Sequence, residues 1–181
     1  MRVLSREEQA RFVSYLLEDM DTCKFGVLLA LFTGVRIGEL CALQWGKISL
    51  KEQTIRIDAT LQRLRDTSAV GSARTRIVIS TPKSDTSVRT IPVTDYTAEL
   101  CGKMAPHSSA AYVLTGTDSF MEPRALQYRM EKYTRKCGLE GVHFHTLRHT
   151  FATRAVEVGF EIKSLSEVLG HSPACGQAAS G

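Results

Sequence analysis

No stretch of the 181 residues carries the roughly 18 consecutive apolar side chains of a membrane-spanning helix. The opening Met1-Arg2-Val3-Leu4 runs directly into Ser5-Arg6-Glu7-Glu8, so it lacks the apolar stretch of a signal peptide. A cytoplasmic place is the expectation. Cysteine is present, at 23, 41, 101, 137 and 175, but without a Cys-x-x-Cys pair and in odd number. That argues against a disulfide framework and against a zinc ribbon; Cys41, inside an apolar helical pattern, is expected in the core. Acids do not gather near the histidines. His145 and His149 share a helical face with no acidic third ligand beside them, so no metal is expected. Large apolar side chains are missing after Pro173, which predicts a loose tail over 172–181.

What is present is ordinary in bulk. An apolar fraction of 43% and a charged fraction of 23% describe a soluble globular chain about the size of one domain. The net charge of +4 says little about partners. Its distribution says more. Arg56, Arg63, Arg65, Arg74, Arg76, Lys83 and Arg89 crowd one segment whose only acids are Asp58, Asp66 and Asp85. Such a stripe suits contact with a phosphate backbone, and a solvated face explains it equally well.

Periodicity divides the chain. Ser5-x-x-Glu8 is a capping box that opens a helix with Phe12, Tyr15 and Leu16 on its apolar side. Asp21 and Thr22 begin a second helix, apolar on most faces, which Gly34 stops; Val35–Leu43 reads as a third. Short β-like runs follow at 48–50, 54–57, 76–79 and 88–92, with a flexible connection over 66–73 and a turn over 82–86. Helical pattern returns at 94–104, at 123–136 behind Pro123, at 146–158 and at 164–169, the last with a second Ser-x-x-Glu box at Ser164 and Glu167. Tyr112-Val113-Leu114 suggests one more strand. The fold class is α+β: a mainly helical domain with a small antiparallel sheet at one side.

Four segments carry chemistry. Thr33-Gly34-Val35-Arg36-Ile37-Gly38-Glu39-Leu40 sets Arg36 and Glu39 three residues apart on a helix. Pro82-Lys83-Ser84 holds a lysine at a turn. His145-Thr146-Leu147-Arg148 aligns a histidine with an arginine, and Leu169-Gly170-His171 ends a helix in a histidine. Two arginines, histidines and a lysine without clustered acids suit a phosphate. Arginine forks grip non-bridging oxygens, and histidine moves protons near neutral pH. Each piece has a plainer reading: Arg36 as the buried partner of Glu39, Lys83 as surface, His171 as a helix cap.

Taken in order, these boxes, with Thr150-Phe151-Ala152 after the second, resemble the signature of the tyrosine recombinases (phage-integrase family) from about Leu4 to His171. The resemblance implies the catalytic-domain fold over 1–171 and site-specific DNA recombination or integration by a mobile element. It assigns Arg36 and Arg148 to clamping the scissile phosphate. Lys83 would protonate the 5′-oxygen leaving group, His145 would support proton transfer, and His171 would position the phosphate. Glu39 would orient the Arg36 helix, while Thr150, Phe151 and Ala152 would pack behind the site. Arg56, Arg74, Arg76 and Arg89 would meet the DNA backbone. Double-stranded DNA is the partner, and no metal or nucleotide is needed, since a 3′-phosphotyrosyl link conserves the phosphodiester energy.

The chain departs from the family pattern at both ends. The tyrosine nucleophile would fall near Ser180 or Gly181, and the five tyrosines, at 15, 96, 112, 128 and 133, all precede His145. No N-terminal core-binding domain fits ahead of Leu4. The expectation is therefore a catalytic domain without its nucleophile, inactive as given and monomeric, whereas full-length relatives form tetramers on DNA. A non-catalytic DNA-binding remnant or regulator of the same fold is the alternative.

Overall fold

The computed structural model describes residues 1–65, 75–81 and 88–170. The calls at Lys83, Arg74, His171, Ser180 and Gly181, the connection over 66–73, the turn over 82–86 and the tail lie outside them.

The first helix, α1 (Arg6–Leu17), opens on the expected box. The Ser5 hydroxyl accepts from the Glu8 backbone N–H, and the Glu8 carboxylate accepts from the Ser5 N–H. Asp21 caps α2 (Thr22–Thr33), whose side chains from Phe25 to Leu31 are all buried. This helix is the axis of the core, with α1, α4 (Asp95–Met104), α5 (Pro123–Lys136) and α6 (Phe144–Glu157) packed around it. An axial helix has no solvent side, which is why its sequence shows no polar stripe. Gly34 ends α2 with φ +67°, and α3 (Ile37–Ala42) starts three residues later, shorter than the expected 35–43 because Arg36 and Leu43 are extended.

After a 3-10 turn at Trp45–Lys47 the chain enters strands β1 (Ile48–Ser49), β2 (Thr54–Ile57), β3 (Thr60–Arg65), β4 (Thr75–Ser80) and β5 (Arg89–Pro92). They form two antiparallel sheets rather than one: β1-β2-β5, and the separate hairpin β3-β4. The α+β class with mostly helical content is as expected. β3 escaped the sequence reading, because four of the six residues in Thr60-Leu61-Gln62-Arg63-Leu64-Arg65 are polar or charged and its inward residue Leu61 packs on α3. Tyr112 forms only an isolated bridge with Gln44 in place of a strand.

The last helix among the described residues, α7 (Ile162–Leu169), begins just after Glu161, and Ser164 lies inside it. The second Ser-x-x-Glu box is thus a false start signal. Gly159 at φ +90° has already reversed the chain after α6, so α7 begins earlier than Ser164. Likewise α6 starts at Phe144, two residues ahead of expectation, with the Thr146 hydroxyl accepting from the His143 N–H. Four of the cysteines, 23, 41, 101 and 137, are free and buried, and burial pushes the Cys41 thiol up to about 12. No helix among the described residues is long and apolar enough to cross a membrane.

Candidate phosphate-binding site

The site forms where α2 ends. Gly34 is required there twice. Its φ is one that L side chains rarely adopt, and a Cβ would lie 2.6 Å from Phe151 of α6 and 2.8 Å from Leu169 of α7. Four residues on, Gly38 lets the β3 backbone approach: a Cβ would meet the Leu61 carbonyl oxygen at 2.7 Å. The glycines of the first box therefore fit α3 between the last two helices and the β3-β4 hairpin.

Between them stands Glu39, buried and filled with donors. Its two oxygens accept from the Arg36 N–H (2.8 Å), from Arg36 Nη1 (2.9 Å), and from Arg89 Nη1 and Nη2 (2.9 and 2.8 Å). Burial pushes this carboxyl up, but the Arg89 hydrogen bonds and charge, joined by those of Arg36, outweigh it and hold it below the usual carboxylate range. The plainer reading of Arg36, as a partner of Glu39, is realised. It pairs with Glu39 yet keeps 40% of its side-chain surface open, and its Nη2 donates to the Gly170 carbonyl at 3.1 Å.

Arg148 reaches the same place from α6. Its Nη1 donates to the Gly34 carbonyl and its Nη2 to the Leu169 carbonyl, both at 2.6 Å. Burial, then repulsion from Arg36, pulls its guanidinium down to about 10, so it remains charged at neutral pH. Behind it, Thr150 is fully buried. Its hydroxyl donates to the Thr146 carbonyl and accepts from the Leu4 N–H, which anchors α6 to the start of the chain.

His145 stands on the exposed side of α6, one turn before His149, with ring centroids 6.4 Å apart. Slight burial and the positive fields of His145 and Arg148 lower the His149 pKa. With Arg36, His145 lines an open groove of about 640 Å³ that runs over Gly38 and Leu61 to α5. Among the described residues no cluster of three or more histidine, cysteine or carboxylate side chains could hold a metal ion.

The remaining arginines divide. Arg56 is 62% exposed on β2 and lies 3.3 Å from Asp58, and Arg76 is exposed on β4. Arg89 needs correction. Expected at a DNA backbone, it is buried with 6% of its side chain exposed, and its fork is spent on Glu39. Alternation along β5 carried the signal, since Arg89 shares its inward face with Ile91. Sequence reasoning also left unassigned the far wall of the groove: Arg63, bonded to Glu122 at 2.5 Å, and the exposed Arg124 and Gln127, one turn apart on α5. Their spacing just behind Pro123 was visible; that they face His145 was not. None of the five tyrosines lines this groove.

The model of the phage integrase family matches residues 2–174. A tyrosine recombinase of Pseudothermotoga lettingae is 32% identical over 152 residues, covering 80% of this chain and 43% of its own. Tyrosine recombinase XerA of Thermococcus kodakarensis is 29% identical over 177 residues, covering 94% and 54%. The chain thus spans about half the length of the curated relatives it matches. Among solved structures, the Tn1549 transposon integrase in complex with transposon right end DNA superposes with a TM-score of 0.73 at 23% identity, over 94% of this chain and 58% of that one. The crystal structure of XerA recombinase gives 0.69 at 22% identity, over 95% and 57%. At these identities the structures speak for the fold alone.

Proposed function

Because the chain belongs to the phage integrase family, we propose that it forms the phosphodiester-gripping part of a site-specific DNA recombinase. The observation that carries this reading is the convergence of Arg36 and Arg89 on the carboxylate of Glu39, with Arg148 close enough to feel its charge while bonding the Gly34 and Leu169 carbonyls, at the edge of an open groove. Three guanidiniums near one acid leave a net positive centre. A phosphate oxygen is the anion that arginine forks fit best.

In this reading Arg36 and Arg148 stabilise the charge that develops on the non-bridging oxygens as phosphorus is attacked. His145, on the rim, holds or passes a proton there, and His171 positions the phosphate. Lys83 donates the proton that the departing 5′-oxygen takes up. A tyrosine oxygen would form the bond to phosphorus as that 5′-oxygen leaves; none of the five tyrosines lines the groove. The step proposed for these residues is accordingly the grip on the phosphate and the supply of protons. Integration by a mobile element, a cytoplasmic place and a monomeric state without DNA belong to the same reading. The groove from Arg36 to Arg124 would receive the duplex, with Arg56 and Arg76 on its backbone.

Fluorescence anisotropy with a labelled random-sequence duplex tests the proposal. Binding should weaken with salt along a straight log–log line, losing roughly 0.9 in slope for each phosphate neutralised. Arg36→Lys should weaken it about tenfold, because a point charge replaces a fork. Salt-independent binding, or none at low ionic strength, would remove the reading.

A further inference from the structure

Arg89 has no place in the chemistry above, yet it is the most heavily engaged guanidinium near the site. Nη1 and Nη2 donate to the two oxygens of Glu39, and Nε donates to the Val168 carbonyl at 2.6 Å. The same head lies under Gly170. A Cβ at that position would come within 3.0 Å of Arg89 Nη1 and 3.2 Å of its Cζ, and Gly170 ends α7 with φ +65°. The backbone therefore passes close against the guanidinium at Gly170.

A pattern emerges at the end of α7. Three consecutive carbonyls are each taken by a different arginine: Val168 by Arg89, Leu169 by Arg148, Gly170 by Arg36. Helix C-termini favour positive charge, so the contacts are attractive as well as geometric. Arg36 and Arg148 share themselves between these carbonyls and other work. Like Arg148, Arg89 is closed off from solvent, and it bonds both oxygens of the carboxylate that holds Arg36 as well as the Val168 carbonyl of α7.

We propose that Arg89 is a positioning residue, a rigid tie that sets the Arg36 guanidinium and the end of α7 in fixed relation to each other. It touches no DNA itself. Its value for phosphate binding rests on the function proposed above, whereas the tie is a property of the folded chain. Lysine cannot replace it. One ammonium keeps the charge but cannot aim at both Glu39 oxygens and the Val168 carbonyl in one plane.

The test uses Arg89→Lys in the whole 181-residue chain. Hydrogen exchange is read on the amides of α7 and of α2, and low-temperature NMR on the guanidinium N–H signals of Arg36. In the variant, exchange across Leu165–Gly170 should rise about tenfold, the size that losing one charge-assisted hydrogen bond gives. Arg36 should lose its separate Nη signals and resemble a freely turning arginine, while the α2 amides stay as protected as before. Unchanged Arg36 signals and α7 exchange would overturn the tie. So would an equal rise in α2, since Arg89 would then serve stability alone. Adding a duplex to the unsubstituted chain separates the two proposals. If the Arg36 and Arg148 signals do not move, the DNA reading fails and the tie still stands or falls on the first measurement.

Discussion

Arg56 and Arg89 sit on paired strands, one position apart in register, and have opposite fates. In the β2-β5 ladder Arg56 faces Thr90 and Ile57 faces Arg89. One face of this pair points outward and leaves Arg56 62% exposed; the other points inward and places Arg89 beside Ile55, Ile57 and Ile91. The same residue type is thus a surface charge at one position and a buried strut at the next. What separates them is a carboxylate fifty residues away, since a buried guanidinium is tolerable only when its charge and its donors are met. The inward face of this small sheet is a mixed core, apolar at one end and ionic where it meets α3 and α7.

The ionic end should break most easily. Glu39→Leu leaves Arg89 and Arg148 buried without their counter-charge and should cost about 3–5 kcal/mol in denaturant unfolding, the range for removing one partner of a buried pair. A loss under about 1 kcal/mol would mean that the cluster relaxes into water and that the two faces differ less than their burial implies.

Acid should produce a smaller effect through the same residue. The folded Glu39 pKa lies below its unfolded value, so its contribution is complete above the ordinary carboxylate range near pH 4–5 and is lost as pH falls through the folded value. In Glu39→Gln that part of the acid limb should disappear from the stability profile. An identical acid limb in both proteins would show that other carboxylates control acid unfolding.

The smallest effect belongs to the outward face. Arg56→Ala should alter stability by less than about 0.5 kcal/mol, as surface changes do. If the backbone contact proposed for it is real, the salt slope of duplex binding should fall by about one phosphate. A destabilisation as large as that of Glu39→Leu would erase the distinction between the faces.

Much of the architecture could be read without coordinates wherever the determinant was local. The Ser5 box, the all-round apolar pattern of α2, the stop at Gly34 and the Pro123 start of α5 depend on residues within one or two turns. The same local rule misfired at Ser164, where an identical four-residue pattern lies inside a helix already begun. The candidate site was legible as a set of boxes, and the structure brings Arg36, Glu39 and Arg148 together as a set. Arg89 was misplaced and Arg124 and Gln127 were passed over, because charge alone does not say which way a side chain points.

By itself the sequence determined the helices, the caps of α1 and α2, the apolar axis and the residue types able to hold a phosphate, because these follow from spacing along the chain. Only the tertiary structure decided which arginines face the groove and which is locked beneath it. The reason is physical. A guanidinium is buried or exposed according to whether distant groups meet its charge and its five donors, and that depends on where Glu39 and the end of α7 arrive in space.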